Sequence, residues 1–241
     1  MTDALDGKPA EPGPMDLIEI YYAPKDVFAR RAEGGEFALP LIALPIALTV
    51  LYYATRNAMQ PVFDAEWARM MPGMMAKMPN VPPERLQAMK EMGAKWGGLG
   101  MFFGAGLVAP FVAGIVVWLV SRAVGLATGF AHAMMIATFS LYPMIVEQIV
   151  NAAQALVLPD GSITSRYSVS LGPARFLDPS SSQLTMFAVG HIDVFTIWTA
   201  VLIAIGLKVV ARATTAQAAT AAAAVWLLGL VPGVFAAMRA G

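Results

Sequence analysis

The chain has 241 residues, of which 58% are hydrophobic and only 13% are charged. Soluble domains carry about 25% charged residues, so this composition excludes an ordinary water-soluble domain and indicates a protein in a lipid bilayer. Lys plus Arg and Asp plus Glu are equal in number, which argues against a nucleic-acid partner, and the absence of cysteine excludes disulfides and thiolate chemistry. We predict no cofactor.

The N-terminal segment divides into two parts. Residues 1–14 mix acidic residues with Pro and Gly and are predicted to be a disordered tail. Residues 15–35 are too charged to insert and too apolar for a loop, and Pro24 and Asp26 suit the first turn of a helix. We predict an interfacial amphipathic helix whose Arg30 and Arg31 reach lipid phosphates. A pre-helix packed against the membrane bundle is the alternative.

Five apolar runs are long enough to cross a bilayer. A spanning helix needs about 20 mostly apolar residues, because bare backbone polar groups are costly in hydrocarbon. The fourth run is the shortest and reaches full length only if Lys208 snorkels to the interface. The predicted fold class is all-α, a polytopic five-transmembrane-helix bundle over 36–241, with spans at about 37–57, 97–121, 124–148, 193–212 and 214–238.

Methionines are concentrated between the first two spans, in a segment predicted as a loop over 58–95. Thioether sulfurs are soft ligands for Cu(I), so copper binding is one hypothesis. No His or Cys accompanies the densest methionine run, 70–78, and we therefore predict no metal site. The favoured interpretation treats methionine as a flexible apolar filler and places an amphipathic helix over 85–92, after Pro82 and Pro83.

The third span carries a polar stripe. At 100° per residue its polar side chains fall within an arc of about 140°. Ionisable groups at membrane depth usually face a bundle interior or a cavity, which makes these residues candidates for a transport or ligand site. Alternatively, Glu147 lies where the helix leaves the hydrocarbon, and His132 binds a neighbouring carbonyl. The stripe consists of Thr128, His132, Ser140, Glu147, Asn151 and Gln154.

A polar loop is predicted over 159–190, outside the lipid. Asp193 follows it and is placed to cap the N-terminus of the fourth span. His191 and Asp193 do not form a favoured metal pair, because residues two apart do not share a helix face.

Three segments resemble the Yip1 domain family in its bacterial form: 22–28, 139–143, and the run 193–198 followed by Ile205-Gly206-Leu207. The most specific part is a helix-start signature formed by Asp193, Phe195 and Trp198. The resemblance implies a five-helix membrane bundle with a cytosolic N-terminus. In eukaryotes, relatives of this kind associate with Rab-type GTPases and help to organise vesicle traffic.

The chain departs from the eukaryotic pattern at two places. The acidic Asp-Leu-Tyr-Gly-Pro motif is replaced by 21–24, Tyr-Tyr-Ala-Pro, and a Gly-Tyr pair ahead of a proline is replaced by Thr138-Phe139 ahead of Pro143. These departures argue against binding of a Rab-type GTPase. The alanine-rich, cysteine-free composition suits a bacterial inner membrane, and we predict a cytoplasmic N-terminus and an external C-terminus.

The functional prediction is based on the side chains available for catalysis. No nucleophile-base pair is visible, so we predict a non-enzymatic membrane scaffold or membrane-organising protein. Its expected partners are the lipid bilayer and other membrane proteins or further copies of itself. The alternative is a small-solute or ion permease that uses the polar stripe of the third span.

Overall fold

The computed structural model describes residues 11–159, 161–178 and 180–240, and within these ranges it contains helices and no strand. Most of the predicted disordered tail, residues 1–10, lies outside the described residues. The ordered chain starts with two short helices, α1 (Asp16–Glu19) and α2 (Pro24–Arg30), in which Pro24 stands in the first turn as predicted.

Four helices are long and apolar enough to cross a membrane, and a fifth span results if the pair α9 and α10, bent by 50°, is counted as one. The prediction of a polytopic helical membrane protein is therefore confirmed. The remaining helices are α3 (Ala38–Thr55), α4 (Gln60–Lys77), α5 (Pro83–Gly100), α6 (Ala109–Ala123), α7 (Phe130–Ser140), α8 (Pro143–Val157), α9 (Gln183–Gly190), α10 (Val194–Val210), α11 (Thr215–Leu228) and α12 (Val231–Ala240).

Two of these spans contain breaks in regular α-helix. The π-helical segment Met101–Val108 joins α5 to α6 in one helix of 41 residues. A turn at Leu141 and Tyr142 separates α7 from α8, because Pro143 has no backbone N–H to continue the helical hydrogen bonds. The third span begins at Phe130 and not at 124, since Gly125 has a φ of +82° and ends the preceding helix.

Helix α7 lies at the centre of the bundle. Every residue from Ala133 to Ser140 is buried. Helices α3, α6 and α10 pack around α7, and α2 and α11 pack against α10. Close approach depends on glycine at two positions: a Cβ on Gly106 would overlap Pro45 of α3, and a Cβ on Gly206 would lie 2.8 Å from the Ile136 side chain. The Gly206 motif therefore permits α10 to contact the central helix.

The N-terminal segment packs into this bundle. Ile20, Val27 and Phe28 are fully buried. The prediction that Arg30 and Arg31 reach lipid phosphates is wrong, because both guanidinium groups bind carboxylates of α1. We call the side of the bundle that carries this segment the near side, and the opposite side the far side.

A buried ion cluster fixes the segment on the near side. Asp16 accepts hydrogen bonds from Arg30 Nε at 3.0 Å and from Arg31 Nε at 2.7 Å, and Glu19 also pairs with Arg30. The side chains of Asp16 and Arg31 are only 2% and 3% exposed. Arg31 also lies over the ring of Phe139, 5.1 Å from its centroid. Since a buried charge must be paired, these contacts account for the position of both arginines.

The predicted Met-rich loop over 58–95 is wrong as a loop, because α4 and the first half of α5 are helical. Its Met, Ala, Lys, Glu and Gln residues all have high helix propensity, and Pro83 occupies a favoured first-turn position. The expected amphipathic helix over 85–92 is confirmed within α5. Lys90 of α5 binds Asp64 of α4 at 2.6 Å. We call α4 together with 83–95 the Met-rich helix pair.

The region predicted as a polar loop over 159–190 is also partly helical. It contains two 3-10 helices, Arg166–Val169 and Pro173–Phe176, and the helix α9. Helix α4 contacts the first 3-10 helix, and α9 contacts the second 3-10 helix and α12. These elements cover the far side of the bundle.

Candidate functional site

In the near half of the predicted polar stripe, two of the three side chains are hydrogen-bonded to the protein's own backbone. His132 Nε2 is 2.9 Å from the carbonyl oxygen of Ala32, in the segment that follows α2. Ser140 Oγ donates to the carbonyl of Ile136 at 2.7 Å. Thr128 precedes the helix, and its Oγ1 is buried without a hydrogen-bond partner. The expectation that His132 binds a neighbouring carbonyl is therefore confirmed.

The three residues in the far half of the stripe have two different environments. Gln154 Nε2 donates to the carbonyl of Val169 at 2.7 Å, which attaches the first 3-10 helix to α8. Only Glu147 and Asn151 line a common cavity. Thr128 lies outside the helix, and a turn before Pro143 separates His132 and Ser140 from Glu147, Asn151 and Gln154.

The cavity that Glu147 lines has a volume of about 690 Å³ and lies on the far side of the bundle. Four elements enclose it: the end of α3, the beginning of α4, the junction of α5 with the π-helical segment, and α8. Apolar side chains form much of its wall. We call it the Glu147 cavity; its polar lining includes Tyr52, Arg56, Asn57, Gln60, Glu66, Lys95, Glu147, Gln148 and Asn151.

Charges of both signs line the Glu147 cavity without direct pairing. Arg56 and Lys95 contribute two positive charges, and Glu66 and Glu147 contribute two negative charges. Within 11–159, 161–178 and 180–240, Glu147 forms no ion pair. Because a carboxylate near the hydrocarbon is costly without a partner, a cation or a hydrogen-bond donor in this cavity would be stabilising.

Two side-chain amides on α8 add unsatisfied hydrogen-bond acceptors. Gln148 Oε1 and Asn151 Oδ1 are both buried and have no hydrogen-bond partner. Buried polar atoms of this kind are uncommon, since each costs about 1–3 kcal/mol when its partner is missing. Sequence reasoning missed Gln148, Arg56 and Lys95. The position of Gln148 beside Glu147 was an available signal, whereas the two cations come from other helices.

A second cavity, of about 770 Å³, lies between α4 and the far-side elements. Met70, Met74, Met78 and Met186 line it, so several thioethers share one space as the copper hypothesis requires. The cations Arg69, Lys77 and Arg166 line the same space, and like charge opposes binding of a metal cation. Among the described residues no group of three or more His, Cys, Asp or Glu could hold a metal ion. Copper binding stays a hypothesis.

The helix-start signature has a structural explanation. Asp193 Oδ1 accepts a hydrogen bond from the backbone N–H of Phe195 at 2.9 Å, and Thr196 completes a capping box, so the predicted cap of the fourth span is confirmed. Phe195 is buried. Trp198 contacts the ring of Tyr21 edge-on at 5.9 Å. The signature therefore starts α10 and provides a surface for the N-terminal segment.

Tyr21 connects this surface to the third span. Its hydroxyl donates to the carbonyl of Tyr142 at 3.0 Å. Burial raises the pKa of Tyr21 to about 12, so its hydroxyl is neutral at physiological pH. The neutral hydroxyl keeps the proton that this hydrogen bond needs.

Apolar spans around a buried central helix, with an N-terminal segment locked onto them, define a multi-pass α-helical membrane protein. The family profile described as Yip1 domain matches residues 18–236, nearly the whole chain. The chain belongs to the Yip1 domain family, as the resemblance of 22–28, 139–143 and 193–207 predicted. No curated protein and no solved structure matches it.

Proposed function

We propose that this protein is a non-enzymatic membrane scaffold that binds other membrane proteins through the Met-rich helix pair. The observation that carries the proposal is a group of five exposed methionines: Met70, Met75, Met89 and Met92 on this pair, and Met78 directly after α4. Methionine is unbranched and polarisable, and surfaces rich in it adapt to partners of different shape.

The length of the second span supports an extramembrane position for part of this pair. A helix of 41 residues is about 62 Å long, and the hydrocarbon core is about 30 Å thick. The charged residues of this helix before Ala109 all lie in 83–95, while 96–121 is free of charge. Residues 83–95 therefore extend beyond the hydrocarbon on the far side, where partner proteins can reach them.

The positions of the histidines support a function without catalysis. His132 binds the carbonyl of Ala32, and His191 Nε2 is 2.8 Å from the carbonyl of Trp226. Both imidazoles are used in packing contacts between segments. Neither is hydrogen-bonded to a Ser, Thr or Tyr hydroxyl in the described part of the chain, as a nucleophile-base pair requires.

The proposal includes a location and an orientation. We place the protein in a bacterial inner membrane, with the N-terminus in the cytoplasm and the C-terminus outside. Arg122, Lys208 and Arg212 lie in or beside the short near-side connections, which favours a cytoplasmic near side. The chain lacks cysteine, so single cysteines introduced at Met15 and at Met75 can be tested for labelling by an impermeant maleimide in intact cells. Labelling of Met15→Cys alone would reverse the orientation.

The scaffold function is tested by recovery of a partner from native membranes. Tagged protein is cross-linked in its host, purified in mild detergent and quantified for stoichiometric partners. Substitution of Met75 and Met92 by Gln should reduce recovery at least tenfold. Met15→Gln is the matched control, because Met15 is 59% exposed on the opposite side of the bundle. Absence of a stoichiometric partner, or equal recovery with all variants, would contradict the proposal.

A permease is the second candidate function, and the Glu147 cavity is the observation in its favour. The cavity provides a polar space on the far side, but the central segment Ala133–Ser140 is buried, and His132 and Ser140 are engaged by backbone carbonyls. These contacts favour the scaffold, because a permeation path needs polar groups along its whole length. Solute or ion flux into liposomes that Glu147→Gln abolishes would favour the permease.

A further inference from the structure

We propose that the Glu147 cavity binds the headgroup of a zwitterionic phospholipid with a primary ammonium, of the phosphoethanolamine type. Such a headgroup carries both a cation with N–H donors and an anionic phosphate. Acceptors and cations lie in the same cavity and are not paired with each other. The inference does not depend on the scaffold function, because none of the exposed methionines that carry that function lines this cavity.

The depth of the cavity matches that of lipid headgroups. Gly35 lies against Ala131, so the near-side ends of α3 and α7 are level. At 1.5 Å per residue, Arg56 is about 27 Å from Ala38, and Glu147 is about 26 Å from Phe130. A hydrocarbon core is about 30 Å thick, so both side chains lie near the boundary of the far leaflet.

Hydrogen bonds between α3 and α5 hold these two walls of the cavity at the same depth in the bilayer. Tyr52 Oη donates to the carbonyl of Ala94 at 3.0 Å, and Tyr53 Oη donates to the carbonyl of Lys95. The adjoining Trp96 is 53% exposed. Tyr and Trp are enriched at the membrane interface, where one end of the side chain is apolar and the other is hydrated. These aromatics indicate that the cavity opens where headgroups and acyl chains meet.

The acceptors on α8 suit a primary ammonium. Glu147, Gln148 and Asn151 lie within about one helical turn, and their side chains line one cavity. Rotation of the amides of Gln148 and Asn151 directs their unpartnered oxygens toward a ligand. An ammonium has three N–H donors, which matches one carboxylate and two amide oxygens. A quaternary choline group has no N–H donor, so it satisfies the carboxylate charge but neither amide.

The cations on the other helices suit the phosphate. Arg56 follows α3 and Lys95 lies in α5, across the cavity lining from α8. Arg and Lys are both established phosphate-binding side chains. The apolar wall formed by Leu48, Met101 and Met144 then accommodates the glycerol and the first acyl carbons. One lipid therefore satisfies the two charge types and the buried amides together.

The test is lipid retention by the full-length protein, measured by native mass spectrometry after exchange into phosphatidylethanolamine, phosphatidylcholine or phosphatidylglycerol. We expect retention of phosphatidylethanolamine at least tenfold above either of the others. Glu147→Gln should remove this preference, and Glu84→Gln, which removes an exposed charge outside the cavity, should keep it. Arg56→Gln should weaken all three lipids and leave their order unchanged.

Equal retention of the three lipids by the unmodified protein, which indicates only a surrounding lipid shell, would overturn the inference. An unchanged preference in Glu147→Gln would also overturn it. Soluble O-phosphoethanolamine distinguishes the source of the ligand. Competition with bound phosphatidylethanolamine supports the lipid site. Binding of the soluble compound without retention of the lipid overturns the lipid assignment and assigns the cavity to a free zwitterion.

Discussion

The ion cluster around Asp16 should control how firmly the N-terminal segment is held. Asp16→Asn removes the carboxylate that pairs with Arg30 and Arg31, and Arg31 is then left buried with its charge uncompensated. Loss of one partner from a buried pair costs about 3–5 kcal/mol. At about 1.4 kcal/mol per factor of ten, the detached state should become about 140- to 3,700-fold more populated.

Cysteine labelling measures this detachment directly, because the natural chain has no cysteine. Val27 is fully buried in the bundle, so a maleimide reacts with Val27→Cys only when the segment leaves. The labelling rate in detergent should rise by the factor above when Asp16→Asn is added. Ala221→Cys, at a buried position in α11, should stay unlabelled and so distinguish local detachment from global unfolding.

The matched control is Glu19→Gln, which removes the other carboxylate of the cluster. The Glu19 side chain is 25% exposed, and without it Arg30 still pairs with Asp16. The substitution Glu19→Gln should therefore change the labelling rate less than about fivefold. Equal rates for Asp16→Asn and Glu19→Gln would refute the reasoning that burial of Arg31 makes Asp16 necessary.

Three further predictions concern the contacts of α10 and the N-terminal segment. Gly206→Ala should lower the free energy of unfolding by about 1–3 kcal/mol, because its methyl group meets Ile136 and Phe28; unchanged stability in graded SDS would contradict this packing. Asp193→Ala should cost about 1 kcal/mol in the same assay and Asp193→Asn much less, since asparagine also caps helices; equal losses would argue against the cap. The raised pKa of Tyr21 means that its contribution to stability is present below pH 10 and is lost as the pH rises through about 12. Alkaline unfolding of Tyr21→Phe should lack this component, and identical pH profiles would exclude it.

The sequence predicted the spans well because the requirement for a spanning helix is local. A run of about 20 apolar residues identifies a span regardless of what it packs against. The cap at Asp193 was also predictable, because the capping residue and the backbone N–H it binds are two positions apart. Both features depend on neighbours along the chain.

The features that sequence reasoning missed depend on contacts between distant segments. Asp16 and Arg31 are fifteen positions apart and meet only because α1 and α2 fold back on each other. The sequence around Arg30 and Arg31 is compatible both with exposed arginines that bind lipid and with buried arginines that pair with a carboxylate. The Glu147 cavity likewise needs Arg56 and Lys95 from other helices, and only Glu147 and Asn151 were on the predicted stripe.

Because α5, the π-helical segment and α6 form one continuous helix, a tilt at one end of this helix displaces the other end. The helix contacts α3 closely at Gly106, beside Pro45. Residue Pro83 is about 34 Å from this point, so a tilt of about 10° displaces it by about 6 Å. A partner that pulls on the Met-rich helix pair therefore applies torque inside the bilayer, and a change in bilayer thickness moves the outer tip of the same helix.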